Sequence, residues 1–143
     1  MISIKEIDYQ ESELCFELDS STICLWNKKQ WESEFNKIGV KVVALLIGKK
    51  IIGIYVVQTI IDEAEINYFS IKQKFRRKGY GSYLMNYLIK QCKNLHVKKL
   101  LLEVSETNST AEHFYNKFNF LTVGIRKNYY KDGTNAVLKE KNL

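Results

Sequence analysis

The chain has 143 residues, of which 45% are hydrophobic and 27% are charged, and Lys and Arg outnumber Asp and Glu by 22 to 16. This length predicts one domain, residues 1–143, with enough chain to bury a core, and the composition excludes disordered and fibrous classes. No apolar run approaches the roughly 20 residues of a membrane span, so no membrane partner is expected. The net charge of +6 is compatible with nucleic acid, an anionic cofactor or plain solubility.

The three cysteines, Cys15, Cys24 and Cys92, are odd in number and lack C-x-x-C spacing. This pattern predicts neither a disulfide framework nor a zinc site. His96 and His113 have no partner at ligand spacing, so no metal site is predicted. The first residues do not resemble a secretion signal, and we expect a cytoplasmic protein with reduced thiols.

The hydrophobic patterns of the first half of the chain predict four strands and two short helices. In chain order these are a strand at 2–8, helices at 9–18 and 28–38, and strands at 40–48, 49–61 and 64–71. A tight turn is predicted at Gly48, Lys49 and Lys50, and a bend at Asp62 and Glu63.

The second half begins with a basic loop and continues as alternating helices and strands. A helix at 80–94 has its apolar residues on one face, and a strand at 97–105 follows it. Asn108 or Ser109 is expected to cap the next helix, which ends near Phe118, and strands at 120–126 and 135–141 complete the pattern. A strand–helix–strand step of this size favours a parallel, right-handed crossover. The predicted class is therefore α/β, with a mostly antiparallel mixed sheet, one parallel step and about four flanking helices.

The most informative segment is the basic loop R-R-K-G-Y-G-S at residues 76–82, between a strand and a helix. Gly79 and Gly81 allow a tight turn and close approach of a ligand, and the N–H groups that begin the helix carry its positive dipole end. The loop therefore predicts a pyrophosphate cradle, and a solvated basic loop with a glycine turn is the alternative. The spacings of the Walker A loop and of the dinucleotide fingerprint are absent. Mobile positive charge is expected at the rim from Lys72, Lys74, Arg76, Arg77 and Lys78.

In this position R-x-x-G-x-G resembles the acetyl-CoA signature of the GCN5-related N-acetyltransferase (GNAT) superfamily. Within it, the chain resembles the bacterial ribosomal-protein alanine N-acetyltransferases (RimI-like enzymes) over nearly its whole length. The more specific match is L-E-V-x-x-x-N-x-x-A-x-x-x-Y at residues 102–115, followed by R-x-N-Y-Y at 126–130. Further matching residues are Leu25, Trp26, Asp62, Glu63, Ala64 and Phe120.

This resemblance implies a GNAT fold whose parallel step lies at the cofactor cleft, with acetyl-CoA as co-substrate. It implies that the backbone of Phe69, Ser70 and Ile71 holds the pantetheine arm and polarises the thioester carbonyl. Asn108 would hydrogen-bond the same arm. Glu103 would be the general base and Tyr115 the general acid. Backbone amides would bind the pyrophosphate at Arg77, Lys78, Gly79, Tyr80, Gly81 and Ser82.

Glu103 lies in the apolar run L-L-L-E-V, where a carboxylate is partly desolvated and so becomes a stronger base. An N-terminal α-amine titrates near about 7.7–8.0, so a modest base is sufficient for it. The structural alternative is a glutamate at a strand end with its carboxylate in water.

Tyr115 belongs to a stripe at helical spacing with Ala111, Phe114 and Phe118, so its ring is expected in the core with the hydroxyl at a surface seam. That packing is compatible with the acid role. Cys92 lies about three turns into its helix and is predicted to pack, which argues against a covalent acyl-cysteine.

The chain departs from the family pattern in three places. Residues 72–75 lack the Pro that commonly precedes the phosphate loop, which is expected to cost rigidity but no ligand. Asn119 stands before Phe120 where Gly is usual, and Asn is the next-best residue for a left-handed helix end. Thr134 and Asn135 stand where relatives tend to have acidic residues, which is expected to alter the choice of N-terminus in the peptide groove.

The first functional hypothesis is an acetyl-CoA-dependent Nα-acetyltransferase acting on a protein N-terminal amine, with the N-terminal alanine of a small-subunit ribosomal protein as the leading acceptor. A GNAT enzyme for a small-molecule amine (polyamine, drug or metabolite) is the second. The third is a non-catalytic module that binds CoA or nucleic acid. Nucleic-acid binding needs aromatic residues beside the basic ones, and only Phe75 and Tyr80 are so placed, so direct nucleic-acid binding is not expected.

Overall fold

The computed structural model describes residues 1–143, which form a seven-stranded mixed sheet with four α-helices. The strands are β1 Ile2–Ile7, β2 Val40–Ile47, β3 Lys50–Ile60, β4 Glu63–Ile71, β5 Lys99–Ser105, β6 Leu121–Arg126 and β7 Ala136–Asn142. The helices are α1 Ser12–Ser20, α2 Lys28–Phe35, α3 Tyr80–Asn94 and α4 Ser109–Lys117. The sheet order is β1-β2-β3-β4-β5-β7-β6, and only β4 and β5 pair in parallel. The predicted α/β class, mixed sheet and parallel step are confirmed.

Two hairpin turns differ from the sequence prediction by one residue, the first being one residue shorter and the second lying one residue earlier in the chain. Ile47 pairs with Lys50, so the first turn contains only Gly48 and Lys49. Ile60 pairs with Glu63, so the second turn contains Ile61, with φ 59°, and Asp62. In both cases the strand ladder includes a residue that local composition assigns to the turn.

The two faces of the sheet are covered to different extents. Helices α3 and α4 pack on one face over a core that draws on β2, β3, β4, β5 and β7. On the other face the buried layer beneath α1 and α2 draws on β1 to β4 only. The opposite face of β5, β7 and β6 is therefore left without a helix above it.

Strands β4 and β5 pair over only part of their length. The parallel ladder joins Glu63–Ile66 to Lys99–Leu102, although β4 continues to Ile71 and β5 to Ser105. At the point of divergence, consecutive residues of β3 pair with Ile66 and Tyr68 of β4, so Asn67 is left unpaired as a β-bulge. A bulge of this kind bends the strand. The result is a cleft between the carboxyl ends of the two strands.

Helix α4 is fixed at both ends by the residues that the sequence predicts. The Asn108 Oδ1 accepts a hydrogen bond from the Ala111 backbone N–H at 3.1 Å. At the other end Asn119 adopts φ 68°, and the Phe120 N–H donates to the Tyr115 carbonyl at 3.1 Å, as in a Schellman motif. None of the four helices has the length and apolar character needed to cross a membrane.

Candidate active site

The loop before α3 presents a group of free backbone donors. Arg77 and Gly79 both have positive φ, at 61° and 86°, and Gly79 is the N-cap residue of α3 with no side-chain cap. Between residues 77 and 82 no backbone N–H donates to a protein acceptor. Free N–H groups at the start of a 15-residue helix are suited to an anion, so this loop fits a pyrophosphate.

The Arg76 side chain is held in place, whereas the sequence predicts that its charge is mobile. Its Nε donates to the Ile71 carbonyl at 2.8 Å, which ties the loop to the end of β4. The ring of Phe75 lies 6.3 Å from that of Tyr80 and closes the same segment. The arginine of the R-x-x-G-x-G pattern is thus used to hold the cradle in shape.

Gly81 lets α3 approach α4. A Cβ at this position would lie 3.3 Å from the Phe114 Cε1, a contact tighter than normal packing allows. Gly79 has no neighbour within 4 Å of such a Cβ, so its requirement is the left-handed backbone.

Phe69, Ser70 and Ile71 lie on β4 beyond the last residue paired with β5. Their other edge is held by β3, whereas the edge toward β5 has no strand partner and can pair with an extended ligand, apart from the Ile71 carbonyl that accepts from Arg76. Phe69 packs against the rings of Phe114 and Tyr115, at 5.6 and 6.4 Å between centroids. This free edge fits the amide-bearing arm that the resemblance implies.

Tyr115 is buried on α4, and its ring lies 5.6 Å from that of Phe120. Its hydroxyl has no protein hydrogen-bond partner, yet no buried side-chain polar atom lacks one, so this oxygen reaches accessible surface. The predicted packing, with the ring in the core and the hydroxyl at a seam, is confirmed. Burial, and secondarily Tyr130, raise the pKa of Tyr115 above its usual range, so the hydroxyl keeps its proton at neutral pH.

Glu103 lies on the uncovered face of β5, with 23% of its side chain exposed. Its Oε1 lies 3.0 Å from the Arg126 Nη2, and the Arg126 guanidinium also lies 4.8 Å from the centroid of the Tyr129 ring. The predicted partial burial of Glu103 is present. Its pairing with Arg126 was not predicted, because the contact spans β7.

One further residue of this site, Glu65, was missed from the sequence, whereas Tyr130 belongs to the R-x-N-Y-Y match. Partial burial, and then the Glu103 charge, raise the pKa of Glu65 on β4. Burial and the Glu103 charge also raise the pKa of Tyr130, which in turn neighbours Tyr115. Tyr130 is therefore close to both predicted catalytic residues, and the parallel register of β4 and β5 is the signal that would have identified Glu65.

Asn108 uses its amide oxygen to cap α4, which leaves its amide nitrogen as the donor for a ligand. Thr134 and Asn135, in the hairpin between β6 and β7, shape that hairpin from within. The Thr134 Oγ1 donates to the Asp132 Oδ1 at 2.6 Å, and the Asn135 Oδ1 accepts from the Asn128 N–H at 2.9 Å.

The thiols are outside this arrangement. Burial raises the pKa of Cys92 to about 11 and that of Cys15 to about 12, whereas Cys24 is exposed. The predicted packing role of Cys92 is confirmed. No three His, Cys, Asp or Glu side chains are grouped so that they could hold a metal ion.

Comparison with known proteins places this geometry in a family. Residues 8–120 match the Acetyltransferase (GNAT) family. A [ribosomal protein bS18]-alanine N-acetyltransferase of Haemophilus influenzae is 42% identical over 86 residues, which are 60% of this chain and 58% of that protein. The chain thus spans less than two thirds of that relative. The protein of the same name from Haemophilus ducreyi is 31% identical over 142 residues, or 94% of this chain and 96% of that one.

The fold has a close counterpart among solved structures. The crystal structure of the ribosomal-protein-S18-alanine N-acetyltransferase from Escherichia coli superposes with a TM-score of 0.92 at 23% identity, covering 99% of this chain and 94% of that one. The family resemblance predicted from residues 76–82 and 102–130 is confirmed, and the chain belongs to the acetyltransferase (GNAT) family.

Proposed function

We propose that this chain is an acetyl-CoA-dependent Nα-acetyltransferase that modifies a protein N-terminal amine. The observation that carries the proposal is the divergence of β4 from β5 after Ile66. A free strand edge and the N–H groups of residues 77–82 border the resulting cleft on one side, and the open face with Glu103 lies on the other. One ligand can thus be held between the strands while a second approaches from the uncovered face.

On this proposal the co-substrate acetyl-CoA supplies an activated acetyl group. The backbone amides of residues 77–82 bind its pyrophosphate, and the free edge of Phe69, Ser70 and Ile71 pairs with its pantetheine arm. Asn108 donates to that arm from the amide nitrogen that its cap leaves free. Rigid placement of these donors supports the proposal, because a fixed geometry lowers the entropic barrier to transfer.

Glu103 is the proposed general base. Its partly buried carboxylate, on the uncovered face of the sheet, accepts a proton from the acceptor ammonium, which then becomes a nucleophile. Tyr115 is the proposed general acid and donates its hydroxyl proton to the departing thiolate. The hydroxyl has no protein hydrogen-bond partner and reaches accessible surface, which supports this role because it is free to donate to the sulfur.

The leading acceptor is the N-terminal alanine of a small-subunit ribosomal protein. The full-length similarity to the Haemophilus ducreyi protein, which is named for the alanine of ribosomal protein bS18, supports this acceptor. The exposed tyrosine ring at Tyr129 offers a contact surface for the residues that follow the first. A cytoplasmic location is part of the same proposal, because ribosomal proteins are the substrates.

The test is turnover of acetyl-CoA against a short panel of acceptors, with the acetyl group located by mass spectrometry. The panel contains peptides beginning with Ala, Ser or Met, a peptide with a blocked N-terminus and an internal Lys, and spermidine. We expect acetylation of the free α-amine of the Ala peptide and none of the blocked peptide. Acetylated spermidine with unmodified peptides would instead favour the small-amine enzyme, and CoA binding without turnover of any acceptor would favour a non-catalytic module.

A further inference from the structure

Asp19, at the end of α1, is a fully buried carboxylate that the proposed chemistry does not use. Its Oδ1 accepts from the Leu25 N–H at 3.0 Å and from the Tyr68 hydroxyl at 3.0 Å. Its Oδ2 accepts from the Trp26 N–H at 2.9 Å and from the Trp31 Nε1 at 3.0 Å. None of the ion pairs in the structure involves Asp19, so these neutral donors alone offset the cost of burying a carboxylate.

The segment between α1 and α2, residues 21–27, is wrapped around this one residue. The Asp19 carbonyl also accepts from the Thr22 N–H at 3.0 Å and the Cys24 N–H at 2.8 Å, and Cys24 adopts the left-handed φ of 51°. Ile23 and Leu25, by contrast, are exposed. Asp19 therefore organises a loop that presents apolar side chains to solvent.

Tyr68 connects this loop to the cleft. Its hydroxyl donates to Asp19 and accepts from the Ser70 Oγ at 2.9 Å, and its ring lies 5.5 Å from that of Trp26. Both Tyr68 and Ser70 belong to the part of β4 that has left β5. Burial raises the pKa of Tyr68 above its usual range. The hydroxyl therefore keeps its proton and donates the hydrogen bond to Asp19.

We propose that Asp19 is a positioning residue that holds residues 21–27 in one shape beside the diverging part of β4, and thereby sets the affinity for the acceptor. The backbone of Ser70 is held separately by its pairing with Ile54 on β3, so the strand edge that faces the co-substrate does not depend on Asp19. The acceptor half of this inference rests on the proposed function, and the loop-holding half does not.

Two variants and one control test the inference. In Asp19→Asn the side-chain NH2 group must face one pair of donors, so at least one backbone N–H of Leu25 or Trp26 meets another donor. Tyr68→Phe removes one of the four donors and keeps the ring against Trp26. Ser20→Ala is the control, because it removes a neighbouring side-chain bond, from Ser20 Oγ to the Phe16 carbonyl, that does not reach Asp19.

Amide hydrogen exchange at Leu25 and Trp26 is measured by NMR, together with the KM for the Ala peptide and the KM for acetyl-CoA. We expect exchange at Leu25 or Trp26, whichever N–H loses its oxygen acceptor, to quicken by about tenfold or more in Asp19→Asn, the effect of roughly one lost hydrogen bond. The KM for the peptide should rise about tenfold while that for acetyl-CoA stays within about twofold. Tyr68→Phe should raise the exchange rates and the KM for the peptide by smaller factors, and Ser20→Ala should change neither.

Unchanged exchange at Leu25 and Trp26 in both variants would overturn the inference. Equal rises in both KM values would overturn it as well, since a general loss of structure would affect both sites. If Asp19→Asn does not fold, Tyr68→Phe decides alone. If the unmodified protein acetylates no peptide, the proposed function fails and the acceptor half fails with it, whereas the exchange rates still decide whether Asp19 holds the loop.

Discussion

The Arg126 guanidinium lies 3.0 Å from the Glu103 carboxylate although the two residues belong to strands that are not neighbours. Glu103 is on β5 and Arg126 on β6, and β7 runs between them. The arginine thus crosses the uncovered face of the sheet to reach the carboxylate, and on the proposed function an acceptor ammonium approaches the same carboxylate. An incoming cation must compete with Arg126 for Glu103, so the pair couples acceptor binding to exposure of the proposed base.

Replacing Glu103 with Gln should lower kcat/KM for the Ala peptide by about 10²–10⁴, the usual value of a positioned general base. The amide keeps the size of the side chain but cannot accept the proton. Steady-state kinetics between pH 6 and pH 9 measure the effect, with urea unfolding to verify that the variant is folded.

Glu140→Gln is the matched control for this variant. Glu140 is a half-buried carboxylate on the adjacent strand β7, paired with Lys99 at 3.7 Å, and it takes no part in the proposed transfer. Near-normal turnover by the Glu103 variant, or an equal loss in the Glu140 variant, would remove Glu103 from the role of base.

Tyr115→Phe should reduce kcat by more than about tenfold while the fold is retained, because a general acid contributes about 10²–10⁴. The hydroxyl has no protein partner, so its removal leaves no buried polar group unsatisfied. Tyr87→Phe is the control, since Tyr87 is a half-buried tyrosine packed on the same core and lies outside the site. Equal kcat values for the two variants would show that Tyr115 serves packing alone.

The fold was largely accessible from the sequence, because its signals are local. The α3 helix begins and ends where the apolar spacing predicts, at Tyr80 and Asn94, and Asn108 and Asn119 occupy the helix ends that their side chains favour. The errors lie at element ends: at the two hairpin turns, where pairing across the sheet takes in a residue assigned to the turn, and at the first two helices, which occupy Ser12–Ser20 and Lys28–Phe35 instead of 9–18 and 28–38.

The candidate site was only partly accessible, because its charges meet through the sheet. Neither the Arg126–Glu103 pair nor the proximity of Glu65 to Glu103 can be inferred without the order β4-β5-β7-β6. The bulge at Asn67 cannot be inferred from the sequence either. It places Tyr68 on the face opposite Ile66, and from that face the Tyr68 hydroxyl donates to Asp19. The alternation of apolar and polar residues in A-E-I-N-Y-F-S-I, residues 64–71, does not show where the bulge lies.

Gly79→Ala should weaken CoA binding and destabilise the fold, because an alanine at φ 86° costs about 1–2 kcal/mol. Gly133→Ala is a matched control, as Gly133 has φ 85° and equally open surroundings but lies in the β6–β7 hairpin. The two variants should lose similar stability in urea unfolding, and only Gly79→Ala should lose CoA affinity in calorimetric titration. Equal CoA affinities for both would argue against the cradle.

Glu65 gives a prediction for the pH dependence of stability. Its pKa is raised from 4.5 by partial burial and then by Glu103, and Arg126 opposes this rise. The folded chain therefore holds this proton more tightly than the unfolded chain, so the contribution of Glu65 to stability is complete below pH 4.5 and is lost as the pH rises through the folded-state pKa.

Glu65→Gln should consequently raise the free energy of unfolding at pH 7, by no more than about 0.5 kcal/mol since solvent screens a side chain this exposed, and the gain should vanish at pH 4. Glu63→Gln, the same charge change at the first residue of β4, is the matched control for the change in charge. Arg126→Gln removes the opposing charge and should raise the pKa of Glu65 further, as followed by NMR of the side-chain carboxyl carbon. A Glu65 pKa that is unchanged in Arg126→Gln would mean that the guanidinium does not reach this carboxylate, and that it acts on Glu103 alone.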